Sequence, residues 1–521
     1  MPNKHVNIEY FINGGWSTDL GNTLAGLQAP QEGMTKLTFL QRADNVVYGL
    51  NGSVRKSFGA SKFNSSAISG TPTVIGLFEY WKQGTTGSPT RKRVCHAGTV
   101  IYKEDVDGTW DSLKTSLVSG TIPDYTVAND KLVISSADAT DVPFSWDQST
   151  FQNLAGSPPN FAFSEWHQSR LFASGVVTAP STIYYSNRNN PETWSGTGSG
   201  SITIAPQDGD RITAIISHKR DLIVFKGPYH GSIWRIIGNA PFGENGFRTE
   251  PIIKGIGAIT HRCVVTMGDD IAFMDVDGTW HGLSATEQFG DFNQKFISRP
   301  IDTYIREDLE HSRLDQFQAV NQSDLGIIVI TGITKGATTN DVIFGFDYRF
   351  PEPRWFRWTN PNAASVAVFK NSSLVDTLYF GGVSDGLVLE GQKSARNWDG
   401  AAIGMNVETP HINMGDWTTL KTLYQIRLGL IPSGTFDIDI NYIQDGTSQS
   451  VTVDQAGAEA LDSFVLGIDV LGGASFSVST TDDVQGEFRS ILLQILQSGG
   501  DETAEVQSIG LTVSSPTYSG E

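Results

Sequence analysis

The sequence predicts an all-β protein: a β-propeller-like body of repeated short-strand blades with one inserted helix, followed by an antiparallel β-sandwich. Three observations lead there. The six residues Asp-Val-Asp-Gly-Thr-Trp occur twice, at 105–110 and at 275–280, and the match runs without a gap over 98–113 and 268–283. In each copy an apolar run ends at an Asp-Gly turn and a Trp follows, which is a strand–turn–strand signal. Second, 55 glycines and 10% aromatic residues suit many tight turns between β-prone runs. Third, short apolar runs alternate with turn signals along most of the chain, with cores spaced roughly 35–60 residues apart, near the size of a propeller blade.

The elements follow in order. Residues 1–35 are Gly-rich and polar and read as an N-terminal arm. Residues 36–395 read as the propeller body of roughly six to eight units. Apolar runs at 45–48, 183–185, 222–225, 342–346 and 378–380 each precede a polar turn. The stretch 301–314 breaks the rhythm. Ile301, Tyr304, Ile305, Leu309 and Leu314 are apolar with charges between them, which predicts the one helix of the chain, packed by its apolar face. Residues 396–521 read as an acidic β-sandwich, with runs at 424–430, 436–443, 464–470 and 488–497.

Composition bounds the function. A chain of 521 residues with 39% hydrophobic content can bury a large core. Its net charge of −19 is uneven: from Asn397 onward three basic residues, Lys421, Arg427 and Arg489, face 17 acidic ones. Such a surface repels phosphate backbones and anionic lipid, so tight nucleic-acid binding is not expected. Two cysteines, Cys95 and Cys263, are too few for a disulfide scaffold and read as buried thiols. The first residues lack an apolar signal region, and no run approaches the ~20 apolar residues of a membrane helix.

Candidate chemistry is sparse. The nine histidines do not pair at metal-ligand spacing, and no phosphate-cradling Gly-rich loop is present. Gly382-Val-Ser384-Asp-Gly386 matches the nucleophile-elbow pattern, but Leu387-Val-Leu389 after it reads as a strand where an elbow needs a helix. Ser384 is therefore expected to sit in a hairpin turn. The repeat residues Asp105, Asp107, Gly108 and Trp110, with Asp275, Asp277, Gly278 and Trp280, are the singled-out positions. Alternating carboxylates beside a Gly suggest Ca²⁺, yet neither copy has the further oxygens and downstream Glu of a calcium loop. They read as turn-builders with a packing Trp in equivalent places of two blades. The unit also resembles the Asp-box of sialidase-type propellers, with one residue missing between Gly and Thr and no leading Ser. Trp194, Trp234, Trp355 and Trp358 read as blade-packing aromatics, not sugar platforms. Abundant Asp and Glu would suffice for a glycosidase pair, but no spacing locates one.

Several phrases resemble one family. They include Phe11-x-Asn-Gly-Gly-Trp16-Ser-Thr-Asp19, Ala29-Pro30, Asn45-Val-Val-Tyr48 and Asn51-Gly52-Ser-Val-Arg55-Lys56 with Gly59. Trp166-His-Gln-Ser-Arg170-Leu171-Phe172-Ala173, Ile183-Tyr-Tyr185-Ser186 and Asn190-Pro191-Glu192-x-Trp194 continue the series. Asp208-Gly209-Asp210, Leu222–Lys226, Ser232-Ile233-Trp234, Ser298-x-Pro300-Ile301, and Glu408-Thr409-Pro410 with Gly415 complete it. Together they resemble the tail nozzle, or packaged-DNA stabilisation, proteins of short-tailed bacteriophages.

The resemblance implies a structural virion protein of the tail, assembled in the host cytoplasm as a homohexameric ring below the portal and adaptor rings. Tail fibre or tailspike proteins would be its other partners. Double-stranded DNA would pass its lumen without tight binding. The resemblance names no catalytic residue, cofactor or metal and implies no enzyme and no stable membrane insertion. A propeller-type glycan-binding or glycan-hydrolysing tail protein is the competing expectation.

Overall fold

The computed structural model describes all residues except 1–4, 13, 19–34, 37–38, 85–86, 106–107, 137–140, 286–291, 361, 393, 415–416, 432–436, 454–476, 482–483, 485 and 515–521. Among the described residues it is a seven-bladed β-propeller joined edge-on to a β-sandwich. Blades 1 to 6 are four-stranded antiparallel meanders spanning 74–114, 123–153, 163–203, 211–254, 264–296 and 318–358. Blade 7 takes three strands from 363–392, and its fourth is Gly59–Lys62 from the other end of the chain, paired antiparallel with Val388–Gln392; Asn397–Trp398 and Ala401–Ala402, assigned from sequence to the sandwich, continue this sheet outward. This closes the ring non-covalently. On the inner side Ser365 Oγ donates to the Val74 carbonyl at 2.7 Å, and Glu79 accepts from Lys370 N at 3.1 Å, so blade 7 meets blade 1.

Each blade presents alternate apolar side chains to its neighbours; the cores from blade 7 through blade 1 to blade 5 are separate, whereas blades 5, 6 and 7 share one continuous core with the sandwich. Leu77, Cys95 and Tyr379 pack between blades 7 and 1, Tyr80 with Leu132 and Trp146 between 1 and 2, and Phe225 with Phe273 between 4 and 5. Both cysteines are buried and free, as expected of structural thiols.

The sandwich draws on both ends of the chain. One sheet extends blade 6 outward: its outer strand Arg354–Trp358 pairs with Arg42–Asp44, which pairs with Met405–Glu408, then Ile491–Gln497, Ile438–Gln444 and Thr447–Val453. The facing sheet is centred on Glu505–Ser514 between His5–Phe11 and Lys421–Leu430. Ile426, Leu428, Ile440, Ile495, Ile509 and Leu511 fill the space between them. The expected arm of residues 1–35 therefore contributes a strand, His5–Phe11. Residues 42–56, assigned from sequence to the propeller, lie in the sandwich sheets. The expected run at 464–470 falls outside the described residues.

The helix expected at 301–314 is a short α-helix, Asp302–Asp308, between 3-10 turns at Arg299–Ile301 and His311–Gln316. All five apolar positions are buried. It bridges blades 5 and 6, and Tyr304 meets Trp16 edge-on at 4.6 Å.

Candidate functional site

Among the described residues the two copies of the repeat are built alike. Trp110 pairs with Glu104, and Trp280 with Met274. Gly108 and Gly278 share the left-handed conformation, at φ 80° and 85°. At 108 a side chain is excluded outright, because a Cβ would lie 2.5 Å from the Phe63 carbonyl oxygen.

The hairpins do not occupy equivalent positions. The first joins the third and fourth strands of blade 1; the second joins the second and third strands of blade 5. Successive strands are antiparallel, so the two turns emerge on opposite faces of the propeller. Trp110 is half-buried against Phe63, whereas Trp280 is fully buried in the core shared by the helix and the sandwich. The sixfold identity therefore reports turn chemistry, not a duplicated blade in register.

That turn leaves little for a cation. Asp275 Oδ1 accepts from Gly257 N and Val276 N. Asp277 accepts from Thr279 N and Oγ1 and faces Arg306 at 3.3 Å. Burial pushes the Asp277 carboxyl up, but the Thr279 hydrogen bonds and Arg306 outweigh it and hold it below its ordinary range. Asp107 lies outside the described residues. Ser384 sits on a hairpin at φ 55°, followed by strand Val388–Gln392 and no helix. Trp355 and Trp358 are fully buried; Trp194 packs on Phe161, and Trp234 donates to Ser232 Oγ at 3.0 Å. Among the described residues no three His, Cys, Asp or Glu are placed to hold a metal ion.

Many of the family-like phrases are clasps. Asn51–Lys56 enters a hairpin whose Lys56 ammonium is buried and donates to Gln497 Oε1 and the Gly499 carbonyl, both at 2.6 Å. Trp16 N donates to the Trp355 carbonyl, and Ser298 Oγ accepts from Trp280 N at 2.8 Å. Arg170 donates to the Ser186 and Gly198 carbonyls within blade 3. Glu192 accepts from Lys131 and from Ser145, tying blade 3 to blade 2. Asp210 accepts from Tyr229 N, His230 N and Gly231 N.

The concave site that sequence reasoning missed lies on the propeller axis. A cavity of about 560 Å³ is lined by all seven inner strands. A second of about 460 Å³ is lined by blades 2 to 4 and the segment entering blade 5, and the two share Pro123, Asp124, His261 and Arg262. At this waist Asp124 accepts from Ser164 N at 2.9 Å and lies 3.5 Å from His261 Nε2. The His261 ring stacks on Phe163 at 5.0 Å. Arg262 donates to Gln318 Oε1 at 2.6 Å. Glu165 accepts from Ser217 N at 3.1 Å, and the Ser217 hydroxyl meets His167 Nδ1 at 2.8 Å. Burial sets the protonation here: Glu165 is pushed up to about 7, with the Asp124 charge adding to the rise, and Arg262 is drawn down to about 10. The only sequence signal was a polar residue interrupting each apolar inner run, as at Pro123-Asp124-Tyr125 and Ser164-Glu165-Trp166.

The raised carboxyl has a measurable consequence. Below the ordinary value of 4.5 Glu165 is protonated in both folded and unfolded chains. As pH rises toward 7 the unfolded chain releases this proton first, so the carboxyl's contribution to stability is lost across that window. Glu165→Gln has no such loss. It is expected to match the parent near about pH 4 and to exceed it at about pH 8 in chemical denaturation. Equal stabilities at both pH values would show the carboxyl to be well solvated.

No protein-family model matches this chain, and the comparison with curated proteins found no match. Among solved structures it is similar to YCF48 bound to D1 peptide, at 8% identity and TM-score 0.38 over 64% of this chain and 97% of that one. It is likewise similar to the N-terminal domain of Nup159, at 11% identity and TM-score 0.38 over 67% of this chain and 98% of that one. The propeller assignment rests on the strand order itself.

Proposed function

We propose that this chain is a structural virion protein forming a homohexameric tail nozzle, which closes the DNA channel below portal and adaptor and lets the genome pass on ejection. The observation that carries this reading is where the family-like phrases fall. Phe11–Trp16, Asn51–Lys56 and Ser298–Ile301 converge on the junction of N-terminal segment, blade 6 and sandwich. The phrases thus maintain one composite body, as expected of a protein whose work is shape. An axial cavity of about 560 Å³ is of small-molecule size, too small to hold a duplex. DNA would therefore run between copies, along an acidic wall that does not grip phosphate.

Native mass measurement and particle imaging of the full chain test this. Sixfold rings are the expected result, and a monomer at all concentrations and in the presence of adaptor refutes it. Duplex DNA is expected to show no measurable binding at physiological salt; sub-micromolar affinity with a steep salt slope would mean electrostatic retention instead. A glycan-binding or glycan-hydrolysing tail protein is the second reading, favoured by the Asp124 and Glu165 carboxylates on the axis. Turnover of a capsular or sialylated glycan, lost in Glu165→Gln, would establish it over the first.

A further inference from the structure

Glu165 and Arg262 line the same axial cavity, yet neither has an ion-pair partner among the described residues. The Glu165 carboxylate accepts one backbone N–H, and the Arg262 guanidinium has the neutral Gln318 amide oxygen. Asp124 lies between these charges electrostatically, since it acts on both and is itself held by Ser164 N and His261. Two further polar atoms of the lining, Tyr125 Oη and His261 Nδ1, are buried without a partner. Desolvated charges left apart are costly, and folds that serve only packing pair them. Elsewhere this chain does so: Arg93 with Glu104 at 2.9 Å, Arg357 with Asp44 at 2.8 Å, Lys226 with Asp208 at 2.8 Å. Lys56 and Arg170 are also buried without an ion pair, but each donates to two neutral oxygens; the axis differs in setting two opposite unpaired charges on one cavity, whose volume lies in the range of small-molecule sites.

We propose that the axial cavity binds a small zwitterion of amino-acid size, its ammonium held by Glu165 and Asp124 and its carboxylate by Arg262. A ligand of one sign would relieve one charge and aggravate the other. A zwitterion satisfies both, and its remaining N–H groups can reach the lone pair of His261 Nδ1 or Tyr125 Oη. The smaller cavity meets the axial one at Pro123, Asp124, His261 and Arg262, and its lining includes Val177, 73% exposed. The proposal is independent of ring formation.

The test is thermal shift followed by calorimetric titration of the full chain with each free L-amino acid. Methylammonium and acetate serve as single-charge controls. At least one amino acid is expected to raise Tm and to titrate one site per chain, with neither control doing so. Glu165→Gln and Arg262→Gln should each weaken that binding by about tenfold or more, the effect of losing one charge-assisted hydrogen bond. Glu165→Gln is isosteric, so it remains informative if the arginine variant does not fold. Absence of binding by every amino acid, binding of a single-charge control as tight as the zwitterion, or unchanged affinity in Glu165→Gln would overturn the proposal.

Discussion

Replacing Trp280 with alanine is expected to lower unfolding stability by about 3–5 kcal/mol, the range for deleting a fully buried indole. Its side chain is inaccessible to solvent and packs against Phe346 at a ring distance of 6.2 Å. Trp110→Ala, in the sequence-identical hairpin, is expected to cost only about 1 kcal/mol, because that ring is half-buried at the outer edge of its blade. Denaturant titration of the two variants checks this, and equal losses would mean that the two hairpins see equivalent surroundings after all. The indole nitrogen supplies a control. Trp280 Nε1 is buried without a hydrogen-bond partner, so Trp280→Phe forfeits volume alone. Trp355 Nε1 donates to the Ile297 carbonyl at 3.1 Å, so Trp355→Phe also strands an acceptor and should cost about 1–3 kcal/mol more.

That contrast shows which features were legible in the sequence. Local signals were. Asp-Gly marked both hairpins, and the spacing of Ile301, Tyr304, Ile305, Leu309 and Leu314 marked the buried face of the one helical segment. Alternating runs marked blades, and their count falls within the expected range. Long-range pairing was not legible. Gly59–Lys62 is four small or polar residues with no periodicity, yet it completes blade 7 across more than three hundred residues. Arg42–Asp44 is equally short and joins propeller to sandwich. Such strands are selected by edges elsewhere in the fold, which no local window contains. The axial cluster was hidden for a related reason. Asp124, Glu165 and Arg262 are far apart in sequence; the first two look like polar members of ordinary half-buried strands, and Arg262 lies in the 3-10 turn His261–Cys263. Only ring closure brings them to one cavity.

The clasp between blades 3 and 4 gives the second large effect, with a sign that distinguishes it from ordinary packing. Lys226 is inaccessible to solvent, and its ammonium donates to both Asp208 carboxylate oxygens at 2.8 Å and to the Ser181, Ile204 and Ala205 oxygens. Asp208 is one-third exposed, at 32%. The two partners are therefore unequal. Removing the anion by Asp208→Ala strands a cation that has no water to turn to, and should cost about 3–5 kcal/mol. Removing the cation by Lys226→Met leaves an aspartate that turns outward, and orphans the Ile204 and Ala205 carbonyls for about 2–3 kcal/mol. The double variant carries neither buried charge and should be no less stable than Lys226→Met alone. The second substitution is thus expected to rescue part of the first, a strongly non-additive cycle between residues in direct contact. Additive losses in equilibrium unfolding would mean that the ammonium is held by its carbonyl oxygens and owes little to Asp208. The Asp208-Gly-Asp210 and Leu222–Lys226 phrases would then have to be explained by the Asp210 turn alone.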